Sequence, residues 1–169
     1  RTVTGVQTCA LPILWTTTDV NGNTASCSQT VTVIDNQLPT ITCPANTTVN
    51  ANNGQCFATA VSLGTPTTSD NCGIAGTTNN APTQYNVGTT TVVWTTTDVN
   101  GNTASCSQTV TVIDNQLPTI TCPANKTVNA NTGQCFATGV SLGTPTTSDN
   151  CGIAGTTNNA PTQYNVGTT

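Results

Sequence analysis

Across 35–113 apolar and polar residues alternate in short runs, and the run around Trp94 sorts by a period of two. Val92 and Trp94 fall on one face of an extended strand, and Thr91, Val93 and Thr95 on the other. Past the next turn the same period returns, with Cys106, Val110 and Val112 sharing a face. Asn100-Gly101 stands between the two runs, and because both residues tolerate positive φ the pattern predicts a β-hairpin. Shorter runs at 38–42, 46–51, 55–63, 73–79 and 84–87, broken by Gly, Pro, Asn and Asp, predict further strands. No helical periodicity competes with them. The expectation is an all-β chain of short strands packed as a sandwich.

The pattern repeats with a period of 79 residues: Trp15 returns as Trp94, Cys27 as Cys106, and Cys43, Cys56 and Cys72 as Cys122, Cys135 and Cys151. Segments 35–90 and 114–169 differ only at Thr47/Lys126, Asn53/Thr132 and Ala60/Gly139. The expected organisation is the final hairpin of one module at 14–34, a complete module at 35–113 and part of a third at 114–169. Residues 1–13, RTVTGVQTCALPI, match nothing in the repeat, and VTGVQTCALPI resembles a translated sequencing adapter, so this segment and its Cys9 are set apart from the fold. Thr169 aligns with Thr90, and Leu14 with Val93. The hairpin 14–34 is therefore expected to complete 114–169, by exchange between chains, with Cys27 and Cys122 as partners.

Composition narrows the function. The chain has no His, Glu or Met, and its only cations are Arg1 and Lys126. General acid–base catalysis and activated nucleophiles need tuned groups that this set does not supply, so no catalytic residue and no required cofactor is expected. A net charge of −4 with so few cations argues against nucleic acid and anionic membrane surfaces. No apolar run approaches the length of a membrane span, and no signal peptide precedes the repeats, so the natural N-terminus is expected further upstream. Nine Cys without His, and without any Cys-x-x-Cys, point to disulfides in an oxidising, extracellular compartment. Four Cys per repeat allow three pairings, among which spacing does not choose.

The segments PTITCPAN at 39–46, TTSDNCG at 67–73 and YNVGTTTVVWTTTDVNGNTASCSQTVTV at 85–112 resemble hyalin repeat (HYR) modules, and the tandem copies resemble a bacterial surface-protein array. The resemblance implies tandem immunoglobulin-like β-sandwich modules stapled by disulfides. It further implies the pairing Cys43–Cys106, which leaves Cys56–Cys72 and, one repeat on, Cys135–Cys151. In the loop-entropy model the first two links contribute about 4 and about 3 kcal/mol. Gln108 departs from the family pattern, which has an apolar or aromatic residue there, so looser core packing is expected around it.

Among candidate sites, Trp94 shares the inward face with Val92 and is expected in the core rather than as a sugar platform. Outward Thr at 89/91 and 95/97 offer a hydroxyl array, although Thr is also an ordinary strand residue. Asn46 and Asn125 begin Asn-x-Thr acceptor sequences, which mark surface exposure. Each repeat carries three Asp: Asp35 in the entering linker, Asp70 in SDN and Asp98 in DVNGN. An immunoglobulin-like topology brings those three positions to one pole. Calcium takes carboxylate and carbonyl oxygens, so Asp35, Asp70, Asn71, Asp98 and Asn100 are expected to hold it, likewise Asp114 with Asp149 and Asn150. The plainer alternative is that each Asp caps its own turn. The functional expectation is a secreted or cell-surface stalk or adhesion segment. Its partners would be neighbouring modules and a surface glycan or protein, with no nucleic acid and no membrane insertion. A carbohydrate- or ice-binding Thr-rich array is the alternative.

Overall fold

The computed structural model describes residues 12–167, so most of the adapter-like segment 1–13 and its Cys9 lie outside the described residues. Strands β1 (Ile13–Thr18) and β2 (Thr24–Gln29) form an exposed hairpin. They are followed by β3 (Thr40–Thr42), β4 (Thr47–Asn50), β5 (Phe57–Thr59), β6 (Thr67–Ser69), β7 (Ile74–Asn79) and β8 (Gln84–Asn86), then the long β9 (Gly88–Asp98) and β10 (Thr103–Ile113). Beyond them lie β11 (Thr119–Thr121), β12 (Phe136–Thr138), β13 (Thr146–Ser148) and β14 (Gln163–Asn165). The fold is all-β, with no helix among the described residues.

β9 and β10 form the centre of a four-stranded sheet ordered β4-β10-β9-β7, with β4 parallel to β10 and β7 antiparallel to β9. The expected alternation is realised: Val92, Trp94, Thr96 and Asp98 are buried along one face of β9, and Gln108, Val110 and Val112 along one face of β10. Cys106 shares that face and is half-buried. The turn differs from the expected one, because Gly101 alone has positive φ (96°) and Asn100 does not. Asp98 N donates to Asn102 O (3.0 Å) and Gly101 N to Asp98 O (3.3 Å), which makes a three-residue loop closed by a glycine rather than a two-residue turn. Strand β6 was not foreseen, since Thr67–Ser69 has no apolar residue to alternate.

The chain divides into two compact units, one made of residues up to 45, 63–81 and 92–108, the other of 46–62, 82–91 and 109–169. The first contains β3 paired with β6 and the buried residues Val92, Trp94, Thr96, Asp98 and Gln108. The second contains β5 paired with β8, together with buried Ala58, Tyr85, Val110, Val112 and Ala137. Tyr85 loses its hydration there, which raises its phenol pKa.

The repeat is visible in the pairings. Thr40↔Ser69 recurs as Thr119↔Ser148, and Phe57↔Asn86 as Phe136↔Asn165. Residues 126–129 and 153–158, the counterparts of β4 and β7, form no strand. β4 and β7 pair with the long hairpin β9–β10, whereas, among the described residues, 126–129 and 153–158 have no such hairpin beside them, and a strand without a partner leaves its backbone groups unpaired.

Cys43 and Cys106 form the disulfide implied by the resemblance. Cys56 corrects the second expectation: it bonds to Cys151, neither to Cys72 nor leaving Cys151 to Cys135, with Cα atoms 4.8 Å apart. Cys56 and Cys151 belong to one compact unit, whereas Cys72 belongs to the other. Cys27, Cys72, Cys122 and Cys135 are free and exposed among the described residues. No Cys27–Cys122 bond forms within this chain.

Gln108 is a further correction. It is fully buried, and rather than loosening the core it accepts from Trp94 Nε1 (3.1 Å) and donates to Ala45 O (2.7 Å) and Leu63 O (2.9 Å). A buried amide is tolerated when both ends are paired, and here they are.

Candidate functional site

Asp35, Asp70 and Asp98 converge so that one carboxylate oxygen from each lies within 4.8 Å of the others. Asp98 ends β9, and its Oδ1 accepts from the backbone N–H of Asn100 (2.9 Å) and Asn102 (2.8 Å). Its Oδ2 accepts from Asn102 Nδ2 (2.7 Å), and this amide also reaches Asp35 O (3.3 Å). Asn102 was not singled out from the sequence, although its place in DVNGN was the available signal. Asp35 accepts from Gln37 N (3.1 Å), Asn100 Nδ2 (3.0 Å) and, at the limit of contact, Asn71 Nδ2 (3.5 Å). Asn71 and Asn100 thus present nitrogens to Asp35 and brace the carboxylate. Asp70 Oδ2 accepts from Cys72 N (2.8 Å), while its Oδ1 is buried without a partner.

These hydrogen bonds set the electrostatics. The Gln37 amide, more than the side chains of Cys72, Asn71 and Asn100, lowers Asp35 below the ordinary carboxylate range against the opposing effect of burial. At Asp98 burial is the largest single influence and pushes upward, but the combined bonds from Asn102, Asn100 and Gly101 outweigh it and the pKa falls. The Cys72 thiol is raised by its hydrogen bond to Asp35, then by burial and by the nearby charges of Asp35, Asp70 and Asp98.

One repeat on, the same linker and loop meet another surface of their own unit. Gln116 Oε1 accepts from Gly54 N (2.7 Å), and Gln116 Nε2 donates to Asn52 O (3.1 Å). Asn150 Nδ2 donates to Gln55 O (2.8 Å) and to Asp114 Oδ1 (3.2 Å). Beside these bonds Cys56 joins Cys151. Asp149 stands next to Asn150, and Asp149 Oδ1 and Asn150 Oδ1 are buried without partners. Asp114, Asp149 and Asn150 are therefore brought into one seam, where Asn150 clamps the 51–56 loop.

The remaining candidates separate clearly. Trp94 is buried, whereas Trp15 is 60% exposed yet keeps the same bond, Trp15 Nε1 to Gln29 Oε1 (2.9 Å). Thr89 and Thr91 are exposed, but Thr95 and Thr97 are half-buried beside β7, so the hydroxyl array is interrupted.

Short strands, a disulfide across residues 43 and 106 and a polar pole of Asp and Asn define a stapled, all-β module. Residues 34–112 match the family model of the HYR domain, a family of extracellular adhesion-type modules without enzymatic activity. No curated protein and no solved structure matches the chain.

Proposed function

We propose that this chain is part of an extracellular stalk or adhesion segment on a bacterial surface, built of tandem HYR modules whose first partners are one another. The observation that carries this reading is the seam in which Gln116, Asn150 and Cys151 of one copy seize residues 52–56 of the copy before it. A seam made largely of backbone groups and a covalent bond fixes spacing, which is what a projecting stalk requires. The HYR match at 34–112 and a composition without His or Glu support the same reading. Glycan-array and ice-affinity binding by the recombinant chain test it: no saturable binding is expected, and saturable binding lost on replacing Thr89 and Thr91 would favour the Thr-rich array instead.

Calcium belongs to the same proposal. Three carboxylates within 4.8 Å, with Asp70 Oδ1 unpaired and Lys+Arg totalling 2 in the whole chain, make a pole whose repulsion a divalent cation relieves. Asp35, Asp70 and Asp98 would supply carboxylate oxygens, with Asn71 and Asn100 beside them. Asp114, Asp149 and Asn150 would form the corresponding but poorer set. Affinity is expected in the weak extracellular range, about 10⁻⁴ to 10⁻³ M. Titration calorimetry and thermal melts at millimolar calcium should show bound heat and a raised Tm that a chelator reverses. An unchanged melt leaves these Asp residues as turn formers only.

A further inference from the structure

Cys151 is the counterpart of Cys72 one repeat later, and Cys135 is the counterpart of Cys56. The Cys56–Cys151 bond therefore joins the Cys56-type residue of one copy to the Cys72-type residue of the next. We propose that exposed Cys72 and Cys135 are the two open halves of this same link, so that Cys72 takes the Cys56-type residue of a preceding copy and Cys135 the Cys72-type residue of a following one. The inferred partner is another copy of this module. The inference deepens the stalk reading and rests on it.

Both open halves already have the shape of the closed ones. On the receiving side, Gln37 N to Asp35 Oδ1 and Gln116 N to Asp114 Oδ1 are both 3.1 Å, and Cys72 N to Asp70 Oδ2 and Cys151 N to Asp149 Oδ2 are both 2.8 Å. On the donating side, Asn52 N to Phe57 O and Asn131 N to Phe136 O are both 2.8 Å, and Gly54 and Gly133 hold φ of 72° and 74°. The linker DNQLP and the loop DNCG are identical in both copies, and the donating loop differs only at Asn53/Thr132. The known seam uses the side chains of Gln116 and Asn150; of their counterparts, Asn71 donates to the Sγ of exposed Cys72 (3.1 Å) and Gln37 lies in the same linker as Asp35. A surface pre-shaped on both sides loses little freedom on docking, and a head-to-tail contact of this kind leaves one open half on each copy for the next.

The chemistry closes with an oxidising small-molecule disulfide such as oxidised glutathione. The Cys72 thiolate attacks it, forming a mixed disulfide and releasing one glutathione thiolate. The Cys135 thiolate of the neighbouring copy then attacks the Cys72 sulfur, the protein S–S bond forms as the bond to glutathione breaks, and the second glutathione leaves as a thiolate. Both leaving thiolates take up the protons given by the two cysteines.

The test uses the full chain with Cys9, Cys27 and Cys122 replaced by Ser, carrying either Cys72→Ser or Cys135→Ser. In a glutathione redox buffer each variant alone should stay monomeric. Their equimolar mixture should convert to a reductant-sensitive heterodimer whose digest contains a Cys72–Cys135 peptide. Gln37→Ala in the Cys135→Ser chain should slow that conversion several-fold, which random collision of exposed thiols would not show. Retention of Cys43–Cys106 and Cys56–Cys151 in the same digests reports that the variants are folded. Failure to form the heterodimer, or a Cys56–Cys72 bond within one chain, overturns the inference. The stalk reading fails separately: saturable glycan or ice binding would displace it while leaving the heterodimer intact.

Discussion

Replacing Gln108 by Met keeps the length of the side chain and removes the three hydrogen bonds that Gln108 makes in the first compact unit. The buried Trp94 indole N–H then has no acceptor, which costs about 1–3 kcal/mol. The carbonyls of Ala45 and Leu63 lose bonds of 2.7 and 2.9 Å that are only part-buried, about 0.5–1.5 kcal/mol each. The three losses together come to roughly 3 kcal/mol, a large share of the stability of a small domain. At about 4–8 °C per kcal/mol the melting temperature should fall by roughly 12–24 °C. The assay is thermal and urea denaturation of the oxidised chain, followed by Trp fluorescence. Two controls isolate the cause. Gln29→Met breaks the same bond in the exposed Trp15–Gln29 pair and should change stability by less than about 0.5 kcal/mol. In a Trp94→Phe background, Gln108→Met should cost about 1 kcal/mol less than it does alone. A Gln108→Met protein that melts within about 2 °C of the parent would refute the reasoning and return Gln108 to the status of a packing defect.

Ala60 is the one non-glycine residue with positive φ (54°) among the described residues, and its counterpart Gly139 has φ 64°. Ala60→Gly should therefore raise stability by about 0.5–1 kcal/mol in urea titrations, because relief of left-handed strain exceeds the added freedom of the unfolded chain. Asp35 and Asp98 have folded pKa values below their unfolded ones, so their stabilisation is complete above the ordinary carboxylate range and is lost as pH falls through the lowered values. Tm measured from pH 7 downward should hold and then drop on the acid side, and Asp98→Asn should flatten that drop. Replacing Cys43 and Cys106 by Ala reopens a loop spanning 63 residues and should cost about 4 kcal/mol in the same titrations.

What the sequence revealed depended on how locally each feature is encoded. The long hairpin was legible because Val92 and Trp94, and again Val110 and Val112, stand two apart on one face with Asn100-Gly101 between the runs, and a period of two has one structural meaning. The acidic pole was legible through topology, since the entering linker, the SDN loop and the last hairpin share an end in sandwiches. β6 was not, because Thr67–Ser69 carries no alternation. The partner of Cys56 was hidden for a different reason: counting cysteines within one repeat cannot reveal a bond that reaches into the next. Gln108 reads as a misfit in a strand until its three partners, distant in sequence, are brought around it. Asn100 and Gly101 both permit positive φ, yet the Asp98 carboxylate holds the Asn100 and Asn102 amides and selects a loop in which only glycine uses it.

The Cys56–Cys151 bond also decides how the chain responds to tension. A pull applied on either side of it passes through the two sulfurs, and the residues they enclose, spanning a separation of 95, carry no load. At about 3.3–3.6 Å per extended residue, roughly 310–340 Å of slack is locked away even if every enclosed strand melts. Under a steady stretching force the oxidised chain behaves as a short leash. Reductant alone, with no change in force, would turn it into a long one.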